Sequence, residues 1–249
     1  MSIKPTFTEP KSRAARVMAG IVESWRKIRR KTRESGPLYT TQLVIQHLIP
    51  KNLFNVQMFF LCELDLRKFA RVRGNDPEIR SATEKDVDLL ANLGPSLSFW
   101  CASFERGARV WVLEREGQVI AFMRLIASDY SEDWLFPILF KGPPKDIWGT
   151  FLKVVPECRG QGIGPRMNRH VASECARLGY SRIMSCVDTL NRNALRADQK
   201  VGYRRIIHFI VIRFLGFTLV HSKGSLRLGR WSSRRRLELQ VDLFDKKPC

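Results

Sequence analysis

The stretch RGQGIG (159–164) combines an arginine with three glycines, between an apolar run and a segment with helical periodicity. Glycine lets backbone N–H groups come close to a ligand, and the first turn of a helix directs its N–H groups at an anion. The unit therefore predicts a phosphate site, although a strand-to-helix turn could need glycine for its geometry alone. Two common nucleotide sites do not fit, because Gly164-Pro165-Arg166 replaces Gly-Lys-Ser/Thr and the glycines do not follow G-x-G-x-x-G.

The cysteines and histidines do not suggest a metal site. The six cysteines, at positions 62, 101, 158, 175, 186 and 249, include no C-x-x-C pair, and the chain has only four histidines. Zinc sites group four such ligands closely, and disulfide frameworks of small secreted proteins show regular cysteine spacing. We therefore expect no bound metal, no disulfide framework and a reducing, cytoplasmic compartment.

The charge of the chain predicts an acidic partner. Its 249 residues include 43 Lys and Arg against 24 Asp and Glu, a formal net charge of +19. This excess favours phosphate, nucleic acid or an anionic membrane surface, and it equally serves solubility. The ends are strongly basic, since residues 1–36 carry 10 basic and 3 acidic side chains and residues 221–249 carry 8 and 3.

Residues 11–33 predict a basic amphipathic helix. Apolar side chains recur there at three- and four-residue steps through Trp25 and Ile28, and basic residues fill most other faces. The helix could lie peripherally on an anionic bilayer, or its apolar face could pack on the following domain. We expect neither a secretory signal nor a membrane-spanning helix, because the most apolar late stretch, 206–220, contains a histidine and an arginine.

The elements around the glycine loop alternate between strands and helices. Before the loop, the pattern predicts a strand in 55–66, a strand and a Thr83-capped helix in 78–94, a helix in 96–106, a hairpin in 108–128 and a strand in 147–155. After it, the pattern predicts a helix with an apolar face from Ile163 to Leu178, a strand in 181–187, a helix in 193–201 and a strand in 203–214.

These elements divide the chain into four segments. They are a basic helical extension (1–36), a strand-containing extension that packs on the main domain (37–76), the main domain (77–220), and a basic C-terminal segment that can form a terminal strand (221–249).

The loop and its surroundings resemble the GNAT family of acyl-CoA-dependent N-acyltransferases. VVPECRGQGIG (154–164) is similar to the family's pyrophosphate loop, R-x-x-G-x-G after an apolar strand that ends in Val-Pro. EIRSATEKDVDLL (78–90) is similar to its opening strand and helix, and NRNALRADQKVGYRR (191–205) to its late helix. The resemblance covers residues 77–214. It implies an α/β fold with a central mixed, mostly antiparallel sheet flanked by helices, here with an N-terminal extension.

The resemblance also implies acetyl-CoA, or another acyl-CoA, as co-substrate. Backbone N–H groups of the loop would hold the CoA pyrophosphate, and Arg159 would add charge. In the family, the strand before the loop separates from its neighbour and pairs with the pantetheine arm. The cofactor-binding residues implied are Val154, Val155, Arg159, Gly160, Gln161, Gly162, Ile163, Gly164, Asn191 and Ala194. Pro165 departs from the pattern by removing one N–H, but it suits the first turn of a helix.

The catalytic groups are less well defined by the pattern. The family's usual acid is a tyrosine seven residues after the asparagine, and Asp198 stands there. An aspartate donates a proton near neutral pH only if its pKa is strongly raised, so the thiolate could instead leave unassisted. As base we favour Asp188, at the end of a strand near the expected thioester, although it could also form a turn. The other carboxylates considered are Asp129, Glu132, Asp133 and Asp146.

The function expected from the sequence is transfer of an acyl group, normally acetyl, from CoA to an amine. Two alternatives stay open. A membrane-associated acceptor and a long-chain donor would account for residues 11–33. A basic binding protein for nucleic acid or the ribosome, built on the same scaffold, would account for the arginines of 226–240.

Overall fold

The computed structural model describes residues 54–70, 76–127, 129, 138–215, 217–222, 225–230 and 237–240. The chain divides into two compact units, residues 1–54 and 55–249, and the sheet discussed below belongs to the second. The predicted helix in 11–33 lies outside the described residues.

Eleven strands and four α-helices are formed by the described residues. The strands are β1 (Phe54–Asp65), β2 (Ile79–Ser81), β3 (Arg109–Arg115), β4 (Gln118–Ala127), β5 (Ile138–Lys141), β6 (Asp146–Val154), β7 (Arg182–Asp188), β8 (Arg204–Phe214), β9 (Phe217–Ser222), β10 (Ser225–Arg230) and β11 (Leu237–Gln240). The helices are α1 (Val87–Leu93), α2 (Leu97–Glu105), α3 (Ile163–Arg177) and α4 (Arg192–Val201).

The described strands build one large sheet and one small one. The large sheet has nine strands in the order β10-β9-β8-β1-β7-β6-β4-β3-β2, and β5 pairs with β11 separately. Neighbours in the large sheet are mostly antiparallel, whereas β6 and β7 are parallel. The predicted mixed, mostly antiparallel sheet with flanking helices is confirmed.

The strand predicted in 55–66 is β1, and it lies inside the sheet between β7 and β8. Its register with β7 runs from Phe59 opposite Asp188 to Asp65 opposite Arg182. Phe59 and Leu61 are buried among side chains of neighbouring strands. The sheet therefore includes residues from the segment 37–76, and the four-segment division of the chain stays a prediction.

Helices cover both faces of the large sheet. On one face, α3 buries Met167, Val171 and Cys175 against apolar side chains of β4, β6 and β7. On the other, Leu90 of α1 and Trp100 of α2 pack on β3 and β4. Leu178, expected to close the apolar face of α3, is 41% exposed because the helix ends at Arg177.

No helix in the described part of the chain is both long enough and apolar enough to cross a membrane.

Candidate functional site

Strands β6 and β7 separate part of the way along the sheet. Their parallel pairing runs from Asp146 opposite Arg182 to Gly149 opposite Ser185 and then stops. β6 nevertheless continues to Val154 and β7 to Asp188, and β7 stays paired with β1. Among the described residues no strand pairs with 150–154 on the β7 side, so the backbone polar groups there that do not bond to β4 border a gap between 150–154 and 186–188. We call this gap the wedge.

A β-bulge at Thr150 begins where this separation begins. In the pairing of β4 with β6, Arg124 lies opposite Phe151 and Leu125 opposite Gly149, which leaves Thr150 as the extra residue. Bulges bend a strand and increase its twist. The bulge therefore turns β6 away from β7 at the end of their shared ladder.

The bulge is held by a buried arginine. Arg124, on β4, is 3% exposed, and its guanidinium lies over the ring of Phe99 at 4.8 Å. Its Nη1 donates to Thr150 Oγ1 at 3.0 Å, and the same hydroxyl donates to the Arg124 carbonyl at 3.2 Å. Sequence reasoning missed both residues, because threonine is ordinary in a strand and a lone arginine within an apolar run gives no sign of its partner.

The glycine loop follows the wedge directly. After a single 3₁₀ turn at Pro156–Cys158, Gly160 and Gly162 have φ of +83° and +77°, in the left-handed region that favours glycine. The space that a Cβ would enter at either glycine is free of atoms within 4 Å. The loop thus leaves open space beside its backbone, as a bound ligand requires.

The loop also presents backbone donors. Gly162 is the N-cap of α3, and the first helical hydrogen bond runs from the Arg166 N–H to the Gly162 carbonyl at 3.1 Å. Within the described residues, no backbone or side-chain acceptor takes the N–H groups of residues 160–164. These donors and the positive end of the α3 dipole give the arrangement in which a helix N-terminus can bind an anion, and the phosphate site stays a prediction.

Two arginines flank the loop and differ in availability. Arg159 is exposed, and its Nε donates to the Val154 carbonyl at 3.1 Å. Arg166, in the first turn of α3, is paired with Asp76 at 2.5 Å and with Glu78 at 2.6 Å. Arg166 therefore ties α3 to the segment before β2, and Arg159 is the cation that can approach a ligand.

Val154 and Val155 face different sides. The Val155 N–H donates to the Ile120 carbonyl of β4 at 2.9 Å, and its carbonyl accepts from Cys158 N–H at 3.1 Å. Both backbone groups of Val155 are thus used within the protein. Because neighbouring residues of a strand alternate in direction, Val154 turns its backbone toward the wedge.

Asp188, the expected base, lies at the end of β7 in a turn. Its Oδ1 accepts from the Leu190 N–H at 2.8 Å, and its carbonyl accepts from the Asn191 N–H at 2.9 Å. Burial raises the pKa of Asp188, and the Leu190 hydrogen bond opposes this shift. Asp188 therefore does form a turn, and this turn uses only one of its two carboxylate oxygens.

The other carboxylates considered as base are placed differently. Asp146 is 2% exposed and ion-paired with Arg182 at 2.8 Å, at the start of β6, the end of the sheet away from the wedge. Asp129 is exposed, and Glu132 and Asp133 lie outside the described residues. Of the candidates that the structure describes, Asp188 alone ends a strand beside the wedge.

The late helix α4 begins with a capped turn. Asn191 is its N-cap, and the Asn191 side-chain oxygen accepts from the Ala194 N–H at 3.1 Å. Ala194 packs on the buried cluster of Cys62, Val187 and Leu195. Asn191 therefore caps α4, and Ala194 packs its first turn against β1 and β7.

Asp198, further along α4, is unusual for an aspartate. Burial raises its pKa from 3.8 to about 6. Burial also raises the pKa values of Tyr203 and Cys62, and the charge of Asp198 adds to both shifts. A pKa of about 6 leaves roughly a tenth of the Asp198 carboxyl protonated at pH 7. The raised pKa is in the direction that a proton donor at position 198 would need, and its role as an acid stays a prediction.

Metal ligands are not clustered in the described part of the chain, where no group of three or more His, Cys, Asp or Glu side chains could hold an ion.

Solved structures with a similar chain path share little sequence with this protein. A Drosophila protein has 16% identity, a TM-score of 0.48, and coverage of 71% of this chain and 58% of that one. An acetyltransferase assigned to the GNAT family from Novosphingobium aromaticivorans has 18% identity, a TM-score of 0.47, and coverage of 72% and 66%. An aminoglycoside N-acetyltransferase in complex with CoA has 14% identity, a TM-score of 0.41, and coverage of 51% and 91%.

This chain therefore spans less than two thirds of the first two of these proteins. A search of curated proteins found no match. The family comparison is more specific, because residues 77–203, which include the wedge strands, the glycine loop and α4, match the acetyltransferase (GNAT) family. The protein is a member of the GNAT acetyltransferase family.

Proposed function

We propose that the protein is an acyl-CoA-dependent N-acyltransferase that transfers acetyl from acetyl-CoA to an amine. One observation carries the proposal: the unpaired edge of β6 leads directly into a loop whose N–H groups have no acceptor within the described residues. An extended ligand with amide groups and a pyrophosphate at one end would satisfy both.

The proposal gives each part of the site a role. The N–H groups of 160–164 bind the pyrophosphate, and Arg159 adds a charge-assisted contact when it leaves the Val154 carbonyl. Val154 pairs with the pantetheine arm, whereas the engaged backbone of Val155 contributes by holding β6 to β4. Asn191 and Ala194 shape the wall of the wedge on the α4 side.

The chemistry requires the movement of two protons. The acceptor amine loses a proton and attacks the thioester carbonyl, its new N–C bond replacing the C–S bond to CoA. Asp188 is the proposed base, since burial raises its pKa and one carboxylate oxygen is not used by the Leu190 N–H. Asp198, with a pKa of about 6, is the proposed donor to the departing thiolate.

The experiment that tests the proposal compares ligand-induced thermal stabilisation in three proteins: the natural chain, Gly164→Asp and Gly164→Ala. Gly164 lies in the first turn of α3, and a Cβ there would meet only Leu152 Cδ2 at an ordinary 3.6 Å. Both variants should therefore fold, and an acidic residue in a first turn even favours the helix. Only the aspartate places a negative charge against the expected pyrophosphate.

Acetyl-CoA, longer acyl-CoAs and free CoA should each stabilise the natural protein, by about 2.7 kcal/mol at a hundredfold excess over Kd. The alanine variant should respond similarly and the aspartate variant hardly at all. The ranking of donors by chain length then tests the preference for acetyl. Stabilisation by heparin alone, or an equal response of both variants to CoA, would contradict the proposal and favour a polyanion-binding function.

A further inference from the structure

A half-buried lysine, Lys153, borders the wedge on β6. Phe151, two residues before it, packs on the buried cluster that α1 and α2 form with the sheet, whereas Leu152 and Val154 pack on the side of α3. Because neighbouring residues of a strand point to opposite faces, Lys153 lies on the same face as Phe151. This face is opposite to α3, the helix that follows the glycine loop.

The ammonium group of Lys153 lies beside the turn between α1 and α2. A Cβ added at Gly94, the C-cap of α1, would be 2.9 Å from Lys153 Nζ, so the glycine leaves the space that the lysine head occupies. The C-terminus of a helix attracts a cation, and yet Nζ forms no salt bridge and no hydrogen bond within the described residues. A lysine that is partly removed from water normally has a partner, so the charge of Lys153 is available to a ligand.

Across the wedge, Asp188 lies on this same face of the sheet. It is directly opposite Phe59 in the pairing of β7 with β1, and opposed residues of a ladder share a face. Ile126 of β4 packs on the same cluster as Phe59, and it is an even number of residues along β4 from Phe122, which is buried with α2. In the described part of the chain the Asp188 carboxylate accepts from the Leu190 N–H and forms no salt bridge.

The two charges lie at a similar distance from the point where β6 and β7 separate. That point is the last pair of their ladder, Gly149 opposite Ser185. Asp188 is three residues beyond it on β7, and Lys153 is four residues beyond it on β6, of which Thr150 is the extra residue of the bulge. At about 3.3 Å per residue, both lie roughly 10 Å along the wedge. A positive and a negative group therefore border one opening from its two sides.

On the basis of the acyl transfer proposed above, we propose that the acceptor is a small amine that also carries an anionic group, either a carboxylate or a phosphate. Its ammonium lies toward Asp188, which takes the proton, and its anionic group binds Lys153. A neutral amine would leave Lys153 without a partner, and a polycationic amine would be repelled by it. The acceptor enters from the face opposite to α3, so it does not compete with CoA for the space at the glycine loop.

The test measures acetylation by the purified full chain with acetyl-CoA and matched pairs of amines. Amino acids are paired with their amides, and phosphoethanolamine and glucosamine 6-phosphate with their dephosphorylated forms, so the two arms distinguish a carboxylate from a phosphate. Lys153→Met is the main variant, because it removes the charge and keeps the length of the side chain. Lys153→Arg keeps the charge, and the matched control Lys145→Met removes an exposed lysine just before β6, at the end of the sheet away from the wedge.

In the natural protein the anionic member of at least one pair should have a kcat/KM roughly tenfold or more above that of its uncharged partner. Lys153→Met should reduce this ratio by about tenfold, mainly through KM, whereas Lys153→Arg and Lys145→Met should preserve it. An unchanged ratio in Lys153→Met, or acetylation of only the members without an anionic group, would overturn the proposal.

Stabilisation by CoA separates this proposal from the acyltransferase function on which it rests. A protein that CoA stabilises but that acetylates no anionic amine of the panel would overturn the acceptor preference and leave the acyltransferase function standing. A protein that CoA does not stabilise would contradict the acyltransferase function itself, and the acceptor preference with it.

Discussion

Thr150 Oγ1 lies 3.0 Å from Nη1 of Arg124 and 3.2 Å from the Arg124 carbonyl oxygen, so a single hydroxyl connects both ends of this arginine to the bulge in β6. The parallel ladder of β6 and β7 ends one residue earlier, at Gly149. The hydrogen bonds of the buried Arg124 on β4 therefore support the bulge in β6, at the point where β6 leaves β7.

Thr150→Val should destabilise the protein and weaken CoA binding together. Valine is similar in shape but removes one acceptor of a buried guanidinium, which costs about 1–3 kcal/mol. Urea unfolding and CoA titration of the same samples measure the two effects. Thr150→Ser, which keeps the hydroxyl, is the control and should stay within about 1 kcal/mol of the natural protein. A fully stable valine variant would show that the bulge does not depend on this hydroxyl.

Gly162→Ala and Gly164→Ala should change stability in opposite directions. Gly162 has φ of +77°, where a Cβ costs about 1 kcal/mol. Gly164 is helical with ordinary room for a Cβ, so alanine there should stabilise by up to about 1 kcal/mol. Thermal unfolding without ligand measures both. Equal effects would mean that the two glycines do not have the distinct conformations described above.

How much of this site could be predicted depends on sequence distance. The glycine loop could be predicted because strand, loop and helix are consecutive in the sequence. Each glycine contributes through its own φ and through the absence of its own side chain. The turn at Thr83 is local in the same way, because its backbone N–H donates to the side chain of Asp86 three residues later, in the 3₁₀ turn that leads into α1. These features follow from a few neighbouring residues.

The rest depends on pairings across long stretches of chain. Residues 55–66 predicted a strand, but no local pattern shows that it pairs with 182–188. Predicting the bulge requires knowing which residue of β4 lies opposite Gly149. That pairing is a matter of strand register, which local composition does not determine. Burial of Arg124 and Asp198 likewise follows from elements that meet only in the folded protein, and so does the pKa of Asp198.

Asn191 can be separated into a structural and a binding role. Its side-chain oxygen accepts from the Ala194 N–H, so Asn191→Ala should cost about 0.5–2 kcal/mol by removing the cap of α4. Asn191→Asp keeps an equally good cap and adds a negative charge. Denaturant unfolding should then show a stable aspartate variant. CoA titration of the same samples measures its affinity for the cofactor. Weakened CoA affinity in that variant would place Asn191 at the cofactor, and unchanged affinity would restrict it to capping.

Asp198→Asn should stabilise the protein at neutral pH. The pKa of Asp198 is about 6 in the folded protein and near 3.8 when the chain is unfolded. Between these values the folded state binds more protons, so the free energy of unfolding of the natural protein falls as pH rises from about 4 to 6. Asparagine has no charge to bury and avoids this loss. The variant should be more stable by up to about 3 kcal/mol at pH 7 and no more stable below pH of about 4.

The same substitution should reduce turnover if Asp198 protonates the departing thiolate. Loss of a general acid typically lowers kcat by a factor of about 10²–10⁴. In the natural protein kcat should fall as pH rises above about 6, because the donor must be protonated. Asp198→Glu, which keeps an acid, should retain more activity than the asparagine variant. An asparagine variant that is more stable and equally active would show that the thiolate leaves without this residue. A variant that is more stable but slow would mean that the carboxyl is retained for the reaction although it destabilises the fold.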